Sequence, residues 1–318
     1  MARPRLYITR RLPESVMAAA RARYDLVREP DDVPPSRESL VDHFRQAEAA
    51  ISLLTDVIDD TLLSASPRLK ILANYAVGYN NVDLAAAARR NVVVTNTPDV
   101  LTDATADLTW ALILSVARRV AEGDAYMRSG SWTGWSPTQM LGSEVSGTVL
   151  GIVGLGRIGR AVARRATGFG MHVRYVAHSR HPDVDQGGWE PRTLQQLLRE
   201  ADFLSLHVPL TPETHHLIGA AELASMKSTA FLVNTSRGAV VDEAALVVAL
   251  RERRIAGAAL DVFEQEPLVH PGLRDLRQVV LLPHLGSATL NTRVRMGMIC
   301  LENIDAVFAG RPAPNRVG

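Results

Sequence analysis

Residues 149–159 read Val149-Leu150-Gly151-Ile152-Val153-Gly154-Leu155-Gly156-Arg157-Ile158-Gly159, and this stretch indicates the fold of the second half of the chain. Its first five residues form an apolar run typical of a buried strand, and a helical pattern follows over residues 160–169. In such a strand–turn–helix, the first glycine makes the tight turn, the second admits a pyrophosphate to the backbone, and the third lets helix and strand pack closely. The N–H groups at the helix start then face the phosphates. The stretch therefore predicts a dinucleotide-binding unit.

The same alternation of short strands and helical patterns extends on both sides of this turn. Strands are predicted at 6–9, 49–53, 71–74, 92–95, 149–153, 173–176, 203–207, 230–234, 258–261 and 279–282. Longer helical patterns cover residues 103–127 and 287–309. This rhythm predicts an α/β protein with two doubly wound parallel-sheet domains, Rossmann-like and flavodoxin-like, separated by a cleft.

The composition excludes several classes of protein. The chain has 318 residues, 47% of them hydrophobic and 22% charged, which is typical of a globular protein and not of a disordered one. A net charge of +1 provides no general attraction for nucleic acid or a membrane surface. The single cysteine, Cys300, excludes an internal disulfide, and the first residues lack the apolar run of a signal peptide. We expect a cytoplasmic protein with a small-molecule partner.

The residue that distinguishes the two nicotinamide cofactors is expected at the end of the second cofactor-domain strand, where an acid holds the ribose 2′-hydroxyl of NAD. Ala177 occupies this place, and no carboxylate is adjacent. The polar residues that follow are suited to bind a 2′-phosphate by charge-assisted hydrogen bonds: His178, Ser179 and Arg180. We therefore predict a preference for NADP(H), with NAD(H) as the alternative cofactor. In the alternative interpretation these are ordinary loop residues, and Asp183 or Asp185 supplies the acid.

Three polar residues follow apolar strands of the second half of the chain: Arg237, Glu266 and His284. The carboxyl ends of strands in an open α/β sheet form the ligand crevice, so we expect these side chains to converge. Arg237 is suited to bind a carboxylate and polarise a ketone, and His284 is suited to protonate the developing alkoxide. Glu266 would hold the imidazole as its cation. Together they predict the reduction of a 2-oxo acid.

Seven segments in this order resemble the D-isomer-specific 2-hydroxyacid dehydrogenase family, and within it most closely the glyoxylate/hydroxypyruvate reductases. They are Asn74-Tyr75-Ala76-Val77-Gly78-Tyr79-Asn80-Asn81-Val82-Asp83, residues 95–102, the glycine turn, His207-Val208-Pro209-Leu210-Thr211, residues 234–243, residues 259–267 and residues 282–289. The resemblance covers essentially the whole chain. Leu285 and Ser236 occupy positions where Ile and Ala are common in the family, and the missing acid at Ala177 is shared by its NADPH-preferring branch.

The resemblance implies a discontinuous substrate domain, a central cofactor domain and a homodimer. We assign residues 1–98 plus 287–318 to the substrate domain and 99–286 to the cofactor domain, which includes a dimerisation arm at about 124–148. Arg237, Glu266 and His284 match the family's catalytic triad. The backbone N–H groups of Val77 and Gly78 are implied to bind the substrate carboxylate.

The cofactor contacts that we predict from the turn and the family motifs form a larger set. It comprises Gly154, Gly156, Arg157, Ile158, Gly159, His178, Ser179, Arg180, Thr105, His207, Pro209, Thr235, Ser236, Asp261 and Gly286. Trp135 lies with Trp132 in a Gly/Ser-rich stretch. It is interpreted either as dimer packing or as a residue that reaches the partner subunit's substrate. His215 and His216 have no third ligand at metal-binding spacing, so no metal site is expected.

These observations favour an NADPH-preferring reductase that converts glyoxylate to glycolate and hydroxypyruvate to D-glycerate. One alternative is a broader D-2-hydroxyacid dehydrogenase that acts on bulkier 2-oxo acids. The other is a binding protein of the nicotinamide-sensing corepressor type, which keeps the fold and the triad.

Overall fold

The computed structural model describes residues 3–177 and 187–318. They form two compact units. The first contains the chain up to Leu101 together with Ser287–Gly318, and the second is Thr102–Gly286. The predicted His178, Ser179 and Arg180 contacts, and the alternative acids Asp183 and Asp185, lie outside the described residues.

Thirteen strands occur in the described part of the chain. In chain order they are β1 Arg5–Ile8, β2 Asp25–Leu26, β3 Ala49–Ser52, β4 Ile71–Asn74, β5 Val93–Thr95, β6 Val149–Val153, β7 His172–Val176, β8 Glu190–Pro191, β9 Phe203–Leu206, β10 Phe231–Asn234, β11 Gly257–Leu260, β12 Val279–Leu281 and β13 Arg316–Val317.

Twelve α-helices connect them within the same described ranges. They are α1 Glu14–Arg23, α2 Arg37–Phe44, α3 Asp60–Ser64, α4 Leu84–Arg89, α5 Thr102–Ala117, α6 Val120–Arg128, α7 Arg157–Ala166, α8 Leu194–Glu200, α9 Ala220–Ser225, α10 Glu243–Arg251, α11 Pro271–Arg274 and α12 Leu290–Phe308.

The first unit contains a six-stranded sheet in the order β13-β5-β4-β3-β1-β2. Strands β1 to β5 are parallel to one another, and the short C-terminal β13 pairs antiparallel with β5. The order β2-β1-β3-β4-β5 is that of flavodoxin-like sheets. β3 and β4 are buried along their whole length, which is why they appear in the sequence as continuous apolar runs.

The second unit contains a seven-stranded parallel sheet in the order β12-β11-β10-β9-β6-β7-β8. Read from β8, it has the Rossmann order with one further strand. Successive strands are added toward one side of the sheet from β6 to β8 and toward the other side from β9 to β12, so the strand order reverses between β6 and β9. Helix α5 packs Trp110 and Ile113 into a core that also contains Ile152 of β6. The predicted α/β class with two doubly wound sheets is confirmed.

The predicted strands match the observed ones to within a residue at either end. Two features differ from the sequence analysis. Strands β2, β8 and β13 were missed because each has only two residues. The single helix predicted over 103–127 is in fact two helices, because Arg119 adopts a left-handed backbone conformation with φ 54° between α5 and α6.

Candidate active site

The three glycines of the turn between β6 and α7 differ in their surroundings, as the sequence analysis requires. Gly154 has φ +96°, and a Cβ there would lie 2.6 Å from the carbonyl oxygen of His207. A Cβ on Gly159 would lie 2.1 Å from the carbonyl oxygen of Gly154. Gly156, the N-cap of α7, has open space where its Cβ would be. The turn thus leaves room for a phosphate beside the N–H groups of the helix start, and these residues fit a dinucleotide.

The other predicted contacts near this turn are placed as follows. Arg157 is the first residue of α7 and is exposed, whereas Ile158 packs partly into the core. A ring nitrogen of His207 lies 2.8 Å from Oγ of Ser205, and burial lowers the pKa of His207 to about 3. His207 is therefore neutral at physiological pH. The Pro209 carbonyl accepts a hydrogen bond from Thr214 Oγ1 at 2.6 Å.

Arg237 follows β10 in a loop that Asn234 holds in place. The Asn234 side chain donates to the Arg237 carbonyl at 2.9 Å, and its Oδ1 accepts from the N–H and the hydroxyl of Ser236. Burial lowers the pKa of the Arg237 guanidinium, and the negative charge of Glu266 opposes this shift. Arginine remains charged at neutral pH even so. In the same loop, Oγ1 of Thr235 is hydrogen-bonded to Oγ1 of Thr109 at 3.0 Å.

A glycine brings the Arg237 loop onto the loop that follows β11. A Cβ on Gly238 would lie 1.8 Å from the carbonyl carbon of Phe263 and 2.3 Å from the nitrogen of Glu264. Glu264 and Glu243 fasten the same two segments together, because the N–H of each donates to the carboxylate of the other, at 2.7 and 2.8 Å. Neither Glu243 nor Glu264 was predicted as a site residue, because their hydrogen bonds join segments that are distant in the sequence.

Glu266 and His284 form a hydrogen-bonded pair. The distance from His284 Nδ1 to Glu266 Oε2 is 2.9 Å, and Glu266 Oε1 accepts the N–H of Phe263 at 3.0 Å. Burial raises the pKa of Glu266. Three groups lower this pKa: His284 by its hydrogen bond and charge, the N–H of Phe263, and the charge of Arg237. Together they outweigh burial, so the net shift of the Glu266 pKa is downward. Glu266 is therefore ionised at neutral pH.

Asp261 fixes the backbone turn that carries His284. Its two carboxylate oxygens accept the N–H groups of Leu285 at 2.6 Å and Gly286 at 2.8 Å, and its carbonyl accepts the N–H of His284 at 2.9 Å. His284 has φ +53°, a conformation that this turn imposes. Thr105 of α5 donates to the Gly286 carbonyl at 3.1 Å. The predicted contacts Asp261, Thr105 and Gly286 thus lie together around the His284 turn.

Arg237, Glu266 and His284 follow the three neighbouring parallel strands β10, β11 and β12, at the same edge of the second unit's sheet. This edge carries a charged guanidinium, a carboxylate and an imidazole whose Nδ1 is already engaged. It can bind an anionic substrate, polarise a carbonyl group and deliver a proton from Nε2 of His284.

The remaining predicted residues are described within their own units. Val77 and Gly78 are partly exposed in the loop after β4, in the first unit. Trp132 and Trp135 are exposed in the second unit, Trp135 to 81%. His215 and His216 stack on each other, and no group of His, Cys, Asp or Glu within residues 3–177 and 187–318 is arranged to hold a metal ion. In these same ranges no helix combines the length and apolar character that a membrane span requires.

A Rossmann sheet with a glycine turn and a polar cluster at its carboxyl edge is the arrangement of a nicotinamide-dependent oxidoreductase. The sequence model of the family described as "D-isomer specific 2-hydroxyacid dehydrogenase, NAD binding domain" matches residues 110–286. The chain belongs to the D-isomer-specific 2-hydroxyacid dehydrogenase family, as its motifs predicted. It is an NAD(P)-dependent oxidoreductase that acts on a CH–OH group.

Three similar proteins cover nearly the whole chain. The glyoxylate reductase of Aeropyrum pernix is 51% identical over 100% of this chain and 96% of its own length. A crystal structure of a Thermus thermophilus protein has 45% identity and a TM-score of 0.94, covering 99% of this chain and 100% of its own. The NADPH-dependent glyoxylate/hydroxypyruvate reductase of Sinorhizobium meliloti, solved with NADP and malonate, has 34% identity and a TM-score of 0.87, covering 100% of this chain and 97% of its own.

Proposed function

We propose that this protein is an NADPH-preferring reductase that converts glyoxylate to glycolate and hydroxypyruvate to D-glycerate. The observation that carries the proposal is the His284–Glu266 hydrogen bond. Glu266 follows β11 and His284 follows β12, the next two strands of the sheet after β10, which Arg237 follows. The names of the similar proteins from Aeropyrum pernix and Sinorhizobium meliloti support the choice of substrates.

Each member of the proposed triad has a separate task. Arg237 binds the substrate carboxylate and polarises the ketone oxygen, for which a planar guanidinium is suited. His284 donates the proton from Nε2 to the oxygen that becomes the hydroxyl group. Glu266 accepts from Nδ1 and favours the imidazolium form of His284 before the proton is donated. The bound nicotinamide supplies the hydride.

The glycine turn would hold the cofactor's pyrophosphate, with Gly156 allowing close approach and the start of α7 supplying N–H groups. Asp261, Thr105, Gly286, Thr235, Ser236, His207 and Pro209 complete the proposed contacts. The absence of a carboxylate at Ala177 supports NADPH as the preferred cofactor. On this proposal Ala177→Asp shifts the preference toward NADH, because a carboxylate there accepts from the ribose hydroxyls and repels a 2′-phosphate.

The proposed domains are residues 1–98 plus 287–318 for the substrate and 99–286 for the cofactor, and the proposed assembly is a homodimer held by the arm at about 124–148. Five large apolar side chains are exposed in and beside this arm: Val120, Met127, Trp132, Trp135 and Leu141. Several exposed apolar side chains in one segment of the chain are what a protein–protein interface would cover.

The test is a steady-state comparison of glyoxylate, hydroxypyruvate, pyruvate and phenylpyruvate with NADPH and with NADH. We expect the highest kcat/KM for the two small 2-oxo acids with NADPH. A higher kcat/KM for phenylpyruvate would favour the dehydrogenase for bulkier substrates, and a preference for NADH would contradict the assignment of Ala177. No oxidation of either cofactor with any of the four acids would contradict a reductase.

A further inference from the structure

Two successive carbonyl groups in the loop after β4 are held by the segment after β5. The Ala76 carbonyl accepts the N–H of Thr97 at 2.9 Å. The Val77 carbonyl accepts the side-chain amide of Asn96, Nδ2, at 2.8 Å. All four residues belong to the first unit, and the donors are adjacent in the chain. Residues 96–97 therefore hold the 76–78 backbone by hydrogen bonds to its carbonyl groups.

This arrangement determines where two N–H groups point. In a trans peptide the C=O of one residue and the N–H of the next lie in one plane and point in opposite directions. Because the Ala76 and Val77 carbonyls both point toward residues 96–97, the N–H groups of Val77 and Gly78 point away from that segment. Neither N–H has an acceptor within the described residues, and both residues are partly exposed. Successive N–H groups that point the same way form an anion-binding concavity.

A second asparagine holds the far end of this loop. Nδ2 of Asn74, which is fully buried, donates to the Gly78 carbonyl at 2.8 Å. Its Oδ1 accepts from Ser52 Oγ and from Asn81 Nδ2, both at 3.2 Å. Asn81 in turn donates to the Leu53 carbonyl at 3.1 Å. The amide orientation of Asn74 is thus fixed by Ser52 of the neighbouring strand β3 and by Asn81 in the loop after β4.

The chemistry of these positions requires an amide and excludes a carboxylate. A carbonyl oxygen can only accept, so the side chain that holds it must donate, which Asn does and ionised Asp does not. An Asp at position 96 would repel the Val77 carbonyl and place a negative charge behind the concavity.

We propose that Asn96 and Asn74 are positioning residues that set the Val77 and Gly78 N–H groups to receive the carboxylate of the substrate. The inference rests on the proposed function, because it takes a 2-oxo acid as the anion. Neither asparagine touches the substrate, and each acts through the backbone that it holds.

The test compares the full-length wild type with Asn96→Asp, Asn96→Ala and Asn91→Asp. Asn91 is exposed, has φ 57° and lies just before the start of β5, whereas Asn96 lies just after its end. Asn91→Asp therefore adds the same charge to the same unit without altering a contact of the 76–78 loop. We measure KM and kcat for glyoxylate at saturating NADPH. Calorimetry gives the affinity of oxamate, a carboxylate that cannot be reduced, for the NADPH complex. NADPH affinity by fluorescence and the unfolding midpoint show whether each variant is folded.

We expect KM for glyoxylate and Kd for oxamate to rise by about 10-fold or more in Asn96→Asp and by less in Asn96→Ala. The kcat should change less than KM, NADPH affinity should stay constant, and Asn91→Asp should match the wild type. Wild-type KM and oxamate affinity in a folded Asn96→Asp would overturn the inference and leave the reductase intact. Asn96-dependent oxamate binding by a wild type that does not reduce glyoxylate would support the inference and overturn the proposed function. A wild type that neither binds oxamate nor reduces glyoxylate overturns both.

Discussion

The His284 ring presents Nδ1 to Glu266 Oε2 at 2.9 Å, while the other carboxylate oxygen of Glu266 is held by the N–H of Phe263 at 3.0 Å. The carboxylate is thus attached to the backbone on one side and to the imidazole on the other. Nε2 is the ring nitrogen that remains for proton transfer. The direction from which the proton arrives is therefore set by a loop that follows β11.

Replacing Glu266 by Gln is expected to change the pH profile more than the maximal rate. The net lowering of the Glu266 pKa keeps this carboxylate ionised at neutral pH, where it favours the imidazolium of His284. A neutral amide gives no such support, so the decline of ketone reduction on the basic side should move to lower pH. The measurement is kcat/KM against pH for both proteins, and a shift to higher pH would contradict the pairing.

The same pair makes a contribution to stability with a defined pH dependence. Because the folded-state pKa of Glu266 is lowered, its stabilising contribution is fully present above the ordinary glutamate pKa. It is lost as pH falls through the lowered value. The difference in unfolding free energy between wild type and Glu266→Gln should therefore shrink on acidification. Denaturant unfolding at several pH values measures it, and a difference that grows toward acid pH would show that the pair does not stabilise the fold.

His284→Gln is expected to lower kcat by about 10²–10⁴-fold, the usual contribution of a general acid, with NADPH affinity nearly unchanged. His216→Gln is a matched control, since His216 also has a left-handed backbone, φ 51°, and lies 3.3 Å from a glutamate, Glu264. We expect the control to retain the wild-type kcat. Unchanged turnover in His284→Gln would remove His284 from the mechanism.

Arg237→Lys is expected to raise KM for the oxo acid and to lower kcat. An ammonium group has no planar fork with which to hold a carboxylate and a ketone oxygen together, although it keeps the charge. Arg128 forms an exposed ion pair with Asp124, so Arg128→Lys is the control for replacing an arginine by a lysine outside the triad. Steady-state kinetics distinguish them, and wild-type values in Arg237→Lys would mean that the arginine is only structural.

The strands and the polar cluster after them were predictable from the sequence because parallel strands buried on both faces appear as apolar runs. Arg237, Glu266 and His284 stand out as polar residues in the segments that follow such runs. The break at Arg119 was not predictable, since no glycine or proline marks it. Asn74, Asn96, Glu243 and Glu264 were missed because their hydrogen bonds join segments that are adjacent only after the strands have paired.

Gly238→Ala tests the contact that brings the Arg237 and Glu266 loops together. A Cβ there would lie 1.8 Å from the carbonyl carbon of Phe263, so either the Arg237 loop or the Glu266 loop must move. We expect a loss of roughly 1–3 kcal/mol in unfolding free energy, as for other overpacked sites, together with a lower kcat. The control is Gly168→Ala, where a Cβ meets nothing within 4 Å. Denaturant unfolding and steady-state kinetics give both quantities, and equal behaviour of the two variants would contradict this prediction.

The exposed arm at about 124–148 is expected to hold two subunits together. Trp135 is 81% exposed and is one of several exposed apolar residues in this segment, as expected of a surface that a partner covers. Light scattering at assay concentration should give about twice the 34.6 kDa chain mass. If Trp135 reaches the substrate of the partner subunit, Trp135→Ala should raise KM for the oxo acid while the dimer persists, because the remaining arm residues still pack. Val248→Ala is a control at a half-exposed apolar residue of α10, outside the arm. A stable, fully active monomer would contradict both the dimer and the role of Trp135.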